Sequence, residues 1–115
     1  MKLFFQFTII FLLFCKQTSA QCDGQRYLNK VFDRVKTTMA IDYGGAKEGP
    51  DGSFTILDYD LYEPIGDTAQ LRPVAILIHG GAFFNLPVVT KKSPDIVELA
   101  TDLAQRGYVT ISPEY

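Results

Sequence analysis

The stretch Val74-Ala75-Ile76-Leu77-Ile78-His79-Gly80-Gly81 decides the reading of this chain. Five consecutive apolar residues, three of them β-branched, suit a strand covered on both faces, which is how strands of parallel sheets read. The run ends abruptly at a histidine and two glycines, so a strand is expected to open there into a turn. Downstream, Ser93-Pro94-Asp95 has the form of a helix start: a hydroxyl at the N-cap, proline at the first helical position and an acid in the first turn. Ile96, Leu99, Ala100, Leu103 and Ala104 then make a helical stripe, and Gly107 after Arg106 supplies a C-cap. Tyr108 to Ser112 is a second apolar strand. Strand, helix and strand in this order predict a βαβ crossover between parallel neighbours.

Upstream the pattern is different. Tyr27 to Lys36 places Leu28, Val31, Phe32 and Val35 at helical spacing, which predicts a short amphipathic helix. Thr38 to Tyr43 alternates, with Met39, Ile41 and Tyr43 on one face of a strand. Gly44-Gly45 and Gly49-Pro50-Asp51-Gly52 punctuate the following loop. Phe54 to Tyr62 is a second strand, with Thr55, Leu57, Tyr59 and Leu61 on one side and Phe54, Ile56, Asp58, Asp60 and Tyr62 on the other. Two strands about a Gly-rich turn predict an antiparallel hairpin. Pro64 to Pro73 reads as a polar linker. The expected fold is therefore α/β: a hairpin followed by a parallel crossover, which is an incomplete sheet with an open edge and uncovered apolar faces. Such a sheet suits the front part of a longer domain.

The first residues read as a targeting segment. Met1-Lys2 is followed by a mostly apolar run from Leu3 to Phe14, then by Thr18-Ser19-Ala20 as a small-residue cleavage site. This predicts a secretory signal peptide over 1–20, cleavage after Ala20 and a secreted or extracytoplasmic chain from 21 to 115. The apolar run is short for a membrane span, and an uncleaved anchor is the alternative to a cleaved signal. Cys15 and Cys22 follow Phe14 and Gln21, bulkier residues than lipid attachment favours. Cleavage would leave Cys22 as a lone cysteine, either free or paired with a cysteine outside this chain. Asn29 and Asn85 both lack the hydroxyl of an Asn-x-Ser/Thr site.

Composition narrows the functional classes. The 115 residues carry 11 Lys+Arg against 13 Asp+Glu, so nothing in the balance suggests binding nucleic acid through its phosphates. Positions 80 to 85 read GGAFFN, which lacks G-x-G-x-x-G spacing, and no G-K-[ST] phosphate loop occurs. No His/Cys cluster has zinc-ligand spacing, and no cofactor is expected. Asp58 and Asp60 could form a paired acid site, but a solvated strand face is the preferred reading.

From Thr38 to Tyr115 the chain resembles the α/β-hydrolase fold, in its carboxylesterase and lipase branch with an HGG-type oxyanion loop. Leu61-Tyr62-Glu63-Pro64 is similar to the end of the second strand of such esterases, and Arg72 to Gly81 to the third strand and its loop. Arg106-Gly107-Tyr108-Val109 and Pro113-Glu114-Tyr115 resemble the following helix end and strand end. The resemblance implies a secreted serine ester hydrolase acting on a small-molecule ester, with the backbone N–H groups of Gly81 and Ala82 in the oxyanion hole. The physical logic is that ester hydrolysis builds negative charge on a carbonyl oxygen, and closely approaching N–H groups stabilise it. In the family the HGG histidine orients the loop without taking the serine proton, which implies that role for His79 together with Gly80. Phe83 either lines the acyl pocket or belongs to the core, while Phe84 reads as core. Many relatives have a third glycine at the position of Ala82, and Phe84-Asn85-Leu86-Pro87 departs from their pattern.

The nucleophile of the family sits in a G-x-S-x-G elbow, and no such frame occurs in these residues. Ser93 reads as a helix cap, Ser112 as a strand-end residue, and Ser53 has no elbow around it. The chain alone is therefore expected to be inactive, supplying an oxyanion loop and no triad. Two other readings share this fold: a non-catalytic binding protein, and an inactive gene remnant. Peptide substrates are also compatible with it.

Overall fold

The computed structural model describes residues 24–48, 50–81 and 90–115. The expected signal segment, Cys22, Ala82, Phe83 and Phe84 lie outside the described residues. The described residues form a mixed four-stranded sheet with one helix, broadly α/β. The strands are β1 (Val35–Glu48), β2 (Ser53–Pro64), β3 (Val74–Ile76) and β4 (Val109–Pro113), and the helix α1 (Pro94–Gln105) lies between β3 and β4 in sequence. Sheet order is β1-β2-β4-β3.

The hairpin forms as its turn residues dictate, and is longer than the alternation alone suggests. β1 and β2 pair antiparallel from Val35↔Pro64 to Glu48↔Ser53. The register shifts twice, between Thr38 and Ile41 and between Asp42 and Gly44. At the first shift Met39 and Ala40 together oppose Asp60, a bulge in which Ala40 adopts φ 55°. This bulge breaks the Met39-Ile41-Tyr43 alternation, and both Met39 and Tyr43 are exposed.

The parallel crossover is also present. β3 pairs parallel with β4 from Val74↔Val109 to Ile76↔Ile111, and β4 pairs antiparallel with β2. The ladder of β3 is shorter than the apolar run, although the Leu77 N–H still donates to the Ile111 carbonyl at 2.8 Å. The expectation that this strand is covered on both faces is corrected. Leu77 packs toward Ala100 and Ala104 of α1 on one side, while Val74, Ile76 and Ile78 are exposed on the other, the uncovered apolar face expected of an incomplete sheet.

α1 begins where Ser93-Pro94-Asp95 places it. Ser93 occupies the N-cap but makes no side-chain cap bond. Its Oγ instead accepts the Thr90 N–H at 3.0 Å. The helix closes as the glycine predicts: the Gly107 N–H reaches the Ala104 carbonyl at 2.9 Å and the Tyr108 N–H the Leu103 carbonyl at 3.2 Å. This paired geometry needs a left-handed residue, and Gly107 supplies φ 102°. The buried stripe is shifted from the expected one. Ala100 and Ala104 pack on Tyr62 with Val97, Val35 and Leu77 around them, and Leu99 is exposed.

The amphipathic helix expected over Tyr27 to Lys36 does not form. Residues 24–29 are turns and bends, Tyr27 has φ 72°, and β1 already begins at Val35. A competing set of hydrogen bonds explains this. The last carbonyls of a helix lack internal partners, and this segment satisfies them. Tyr27 N–H donates to the Arg106 carbonyl at 2.8 Å, and Val31 and Phe32 N–H both donate to the Gln105 carbonyl. Arg26 forks onto Asp67 at 3.0 and 2.6 Å, tying the segment to the linker. That hydrogen bond raises the Arg26 guanidinium pKa further and lowers the Asp67 carboxyl pKa. Among the described residues no helix is long and apolar enough to cross a membrane.

Candidate functional site

β3 and β4 run parallel, so their carboxyl ends meet at one edge of the sheet. In open α/β sheets this is the edge where ligands bind. Here it gathers His79-Gly80-Gly81, which leave β3, and Glu114-Tyr115, which leave β4.

His79 is nearly buried, at 7% exposure. Its Nε2 lies 3.0 Å from Glu114 Oε1 and its Nδ1 2.7 Å from the Gly80 carbonyl oxygen. Both partners are acceptors, so a neutral ring can satisfy one of them and a doubly protonated ring both. The ring stacks on Tyr115 with centroids 4.8 Å apart, and the Tyr115 hydroxyl donates to the His79 carbonyl at 2.7 Å. The histidine is thus held by its ring, its carbonyl and its neighbour's carbonyl.

The two glycines differ. Gly81 has φ 139°, a backbone region that side chains disfavour. A Cβ placed on Gly80 meets no atom within 4 Å. Among the described residues, then, packing does not demand glycine at 80, and the backbone there is open to approach.

Beside this edge lies a buried charge cluster. Lys91 Nζ donates to Asp60 Oδ1 at 2.9 Å and also to Asp58 Oδ1. Burial lowers the pKa of the Lys91 ammonium, but the hydrogen bonds to Asp58 and Asp60 outweigh it and carry the pKa above the ordinary lysine value. Asp60 is fully buried and also accepts the Ala40 N–H of the β1 bulge at 2.9 Å. The solvated strand face expected for Asp58 and Asp60 is therefore corrected: Asp60 is interior, and both acids hold one lysine. Hydropathy gave no sign of this, because the partner lies over 30 positions away in the chain. Ser112 likewise is more than a strand-end residue. It is buried, and its Oγ donates to the Lys91 carbonyl at 3.2 Å. Asp60 Oδ2 and Thr110 Oγ1 are buried and lack a hydrogen-bond partner among the described residues.

The structure thus brings together His79, Gly80 and Gly81 of the expected site and adds Glu114, Tyr115 and Lys91. Of these, Glu114 and Tyr115 were visible only as a family-like strand end, and Lys91 was not singled out. Among the described residues no group of three or more His, Cys, Asp or Glu side chains could hold a metal ion. No family model, curated protein or solved structure matches the chain.

Proposed function

We propose that this chain carries the oxyanion-binding loop of a secreted serine ester hydrolase of the α/β-hydrolase type. One observation supports the reading above the others. The His79-Gly80-Gly81 turn stands at the carboxyl end of a parallel strand, with the histidine buried and bonded and the Gly80 backbone open. In α/β-hydrolases the loop after this strand contributes an N–H to the oxyanion hole. The N–H groups of Gly81 and Ala82 would take the developing negative charge, each contributing about 3 kcal/mol to the transition state. His79 would orient the turn and Phe83 would face the acyl group. The signal-like segment over 1–20 supports export.

The nucleophile, acid and base belong to sequence that follows the turn in such enzymes. The first test is to read the gene beyond codon 115. A continuing frame with G-x-S-x-G, then an acid and a histidine, is expected, and its product should react with a fluorophosphonate probe and hydrolyse a p-nitrophenyl ester. The 115-residue chain alone should do neither. A continuing frame without an elbow serine would overturn the hydrolase reading, as would a stop codon directly after Tyr115.

A further inference from the structure

Glu114 joins two places that are far apart in sequence. Its Oε1 takes His79 Nε2 at 3.0 Å, and its Oε2 accepts the Lys91 backbone N–H at 3.3 Å. These residues bracket the stretch 80–90, so one carboxylate holds both of its ends. The carboxylate is itself well placed by its own backbone. The Glu114 N–H donates to the Asp58 carbonyl on β2 at 2.9 Å, and the Glu114 carbonyl accepts the Tyr43 hydroxyl from β1 at 2.6 Å. The circuit then closes through Lys91, whose ammonium returns to the Asp58 carboxylate. Ser112 adds a second hold on the Lys91 carbonyl.

We infer that Glu114 is a positioning residue, a bridge between His79 and Lys91 that fixes the direction in which the chain leaves β3 at Gly80 and Gly81. Its consequence for an oxyanion rests on the function proposed above; the bridge itself does not. A carboxylate suits this task because it presents two acceptor oxygens to two donors at once. A glutamine presents one acceptor oxygen and an amide that donates: its oxygen can take the Lys91 N–H only while its amide donates to a His79 Nε2 that carries no proton, so at most one of the two donor signals survives. Aspartate shortens the side chain by one methylene.

His79 is the only histidine in the chain, so its ring signals in a labelled sample need no assignment. The experiment follows two signals by NMR in the full chain without substrate: the His79 Nε2–H proton and exchange of the Lys91 amide. In Glu114→Ala both arms should fail. The ring proton should vanish into exchange with water, and the Lys91 amide should exchange about tenfold faster, the loss of one ordinary hydrogen bond. The Leu61 and Thr110 amides, in the sheet, should not change. Survival of either signal in a folded Glu114→Ala chain overturns the bridge. If that variant does not fold, Glu114→Gln decides: one arm surviving supports the bridge, and both surviving or both lost overturns it. A hydrolase with these signals insensitive to Glu114 would sink the inference alone. An intact bridge in a chain whose gene encodes no elbow serine would sink the functional reading alone.

Discussion

The two faces of the sheet invert the usual expectation. On the face under α1, Asp60, Thr110 and Ser112 are 0% exposed, and Tyr62 is 3%. On the opposite face Val74, Ile76 and Ile78 are 57%, 61% and 66% exposed. Leu61, Ile111 and Ile76 lie in one cross-strand row there, with Val109 beside Val74. Asp60 and Ser112 are interior against Lys91, and Tyr62 against Ala100 and Ala104 of α1, whereas on the other face Val74, Ile76 and Ile78 are exposed and Leu61, Val109 and Ile111 half-buried. Burial here follows the layer above each face and not the hydropathy of its residues. On the covered face one lysine holds an oxygen of each of two carboxylates and a bulge supplies an N–H, while Asp60 Oδ2 and Thr110 Oγ1 have no partner among the described residues.

The strongest way to break this contrast is to remove the lysine. Lys91→Met leaves Asp60 buried without its cation, and about 3–5 kcal/mol of stability should be lost. Urea unfolding would read it, and a loss below about 1 kcal/mol would show that the cluster is solvated. Alkaline pH should act in the same direction. The folded-state lysine pKa lies above its ordinary value of 10.5, so its contribution stands whole below that value and is lost as pH rises through the folded-state pKa.

A gentler intervention enlarges the contact beneath the helix. Ala100 is fully buried against Tyr62, so Ala100→Leu should overpack the layer and cost about 1–3 kcal/mol. A rise in melting temperature would indicate an unfilled space there.

The rim of the covered face should respond to acid. The hydrogen bonds from Arg106 and Lys30 hold the Asp102 carboxyl at about 2, below its ordinary 3.8. Its contribution is complete above 3.8 and disappears as pH falls toward 2, and the Arg26–Asp67 tie follows the same sign. Asp102→Asn should flatten the acid limb of the stability profile without moving the neutral value by more than about 1 kcal/mol. An unchanged acid limb would remove Asp102 from the account.

The smallest effect is expected on the bare face. Ile76→Lys should leave stability within about 0.5 kcal/mol, because the side chain is already in solvent. It should also raise solubility, since a lysine on an edge strand discourages strand addition. A large destabilisation would mean that this face is covered after all.

These contrasts show what was legible in the sequence. Turn chemistry and helix caps are local, so the hairpin, the Pro94 start and the Gly107 stop could be read from short windows. Helical spacing over Tyr27 to Lys36 makes no helix because the rival acceptors, the Gln105 and Arg106 carbonyls, sit over 70 positions away and leave no local signal. The Asp58–Asp60–Lys91 cluster escaped notice for the same reason. At the candidate site the glycines announced themselves by type, since few backbones need two in succession after a strand. Glu114 did not, because a lone acid at a strand end has no pattern of its own.

The pairing scheme has a consequence for the order of assembly. β1 and β2 are joined by a tight turn, so their ladder closes over short stretches of chain. The pairing of β2 with β4 brings Tyr59 to Pro113 and must close a far larger loop. Closing that loop costs more entropy and is expected later. The His79–Glu114–Lys91 bridge spans the far end of this closure, so it should be among the last contacts a refolding chain makes. Pulse-labelled hydrogen exchange would show it as hairpin amides protected before that of Lys91. On this scheme the part of the molecule with the most specific geometry is finished only after the scaffold beneath it is in place.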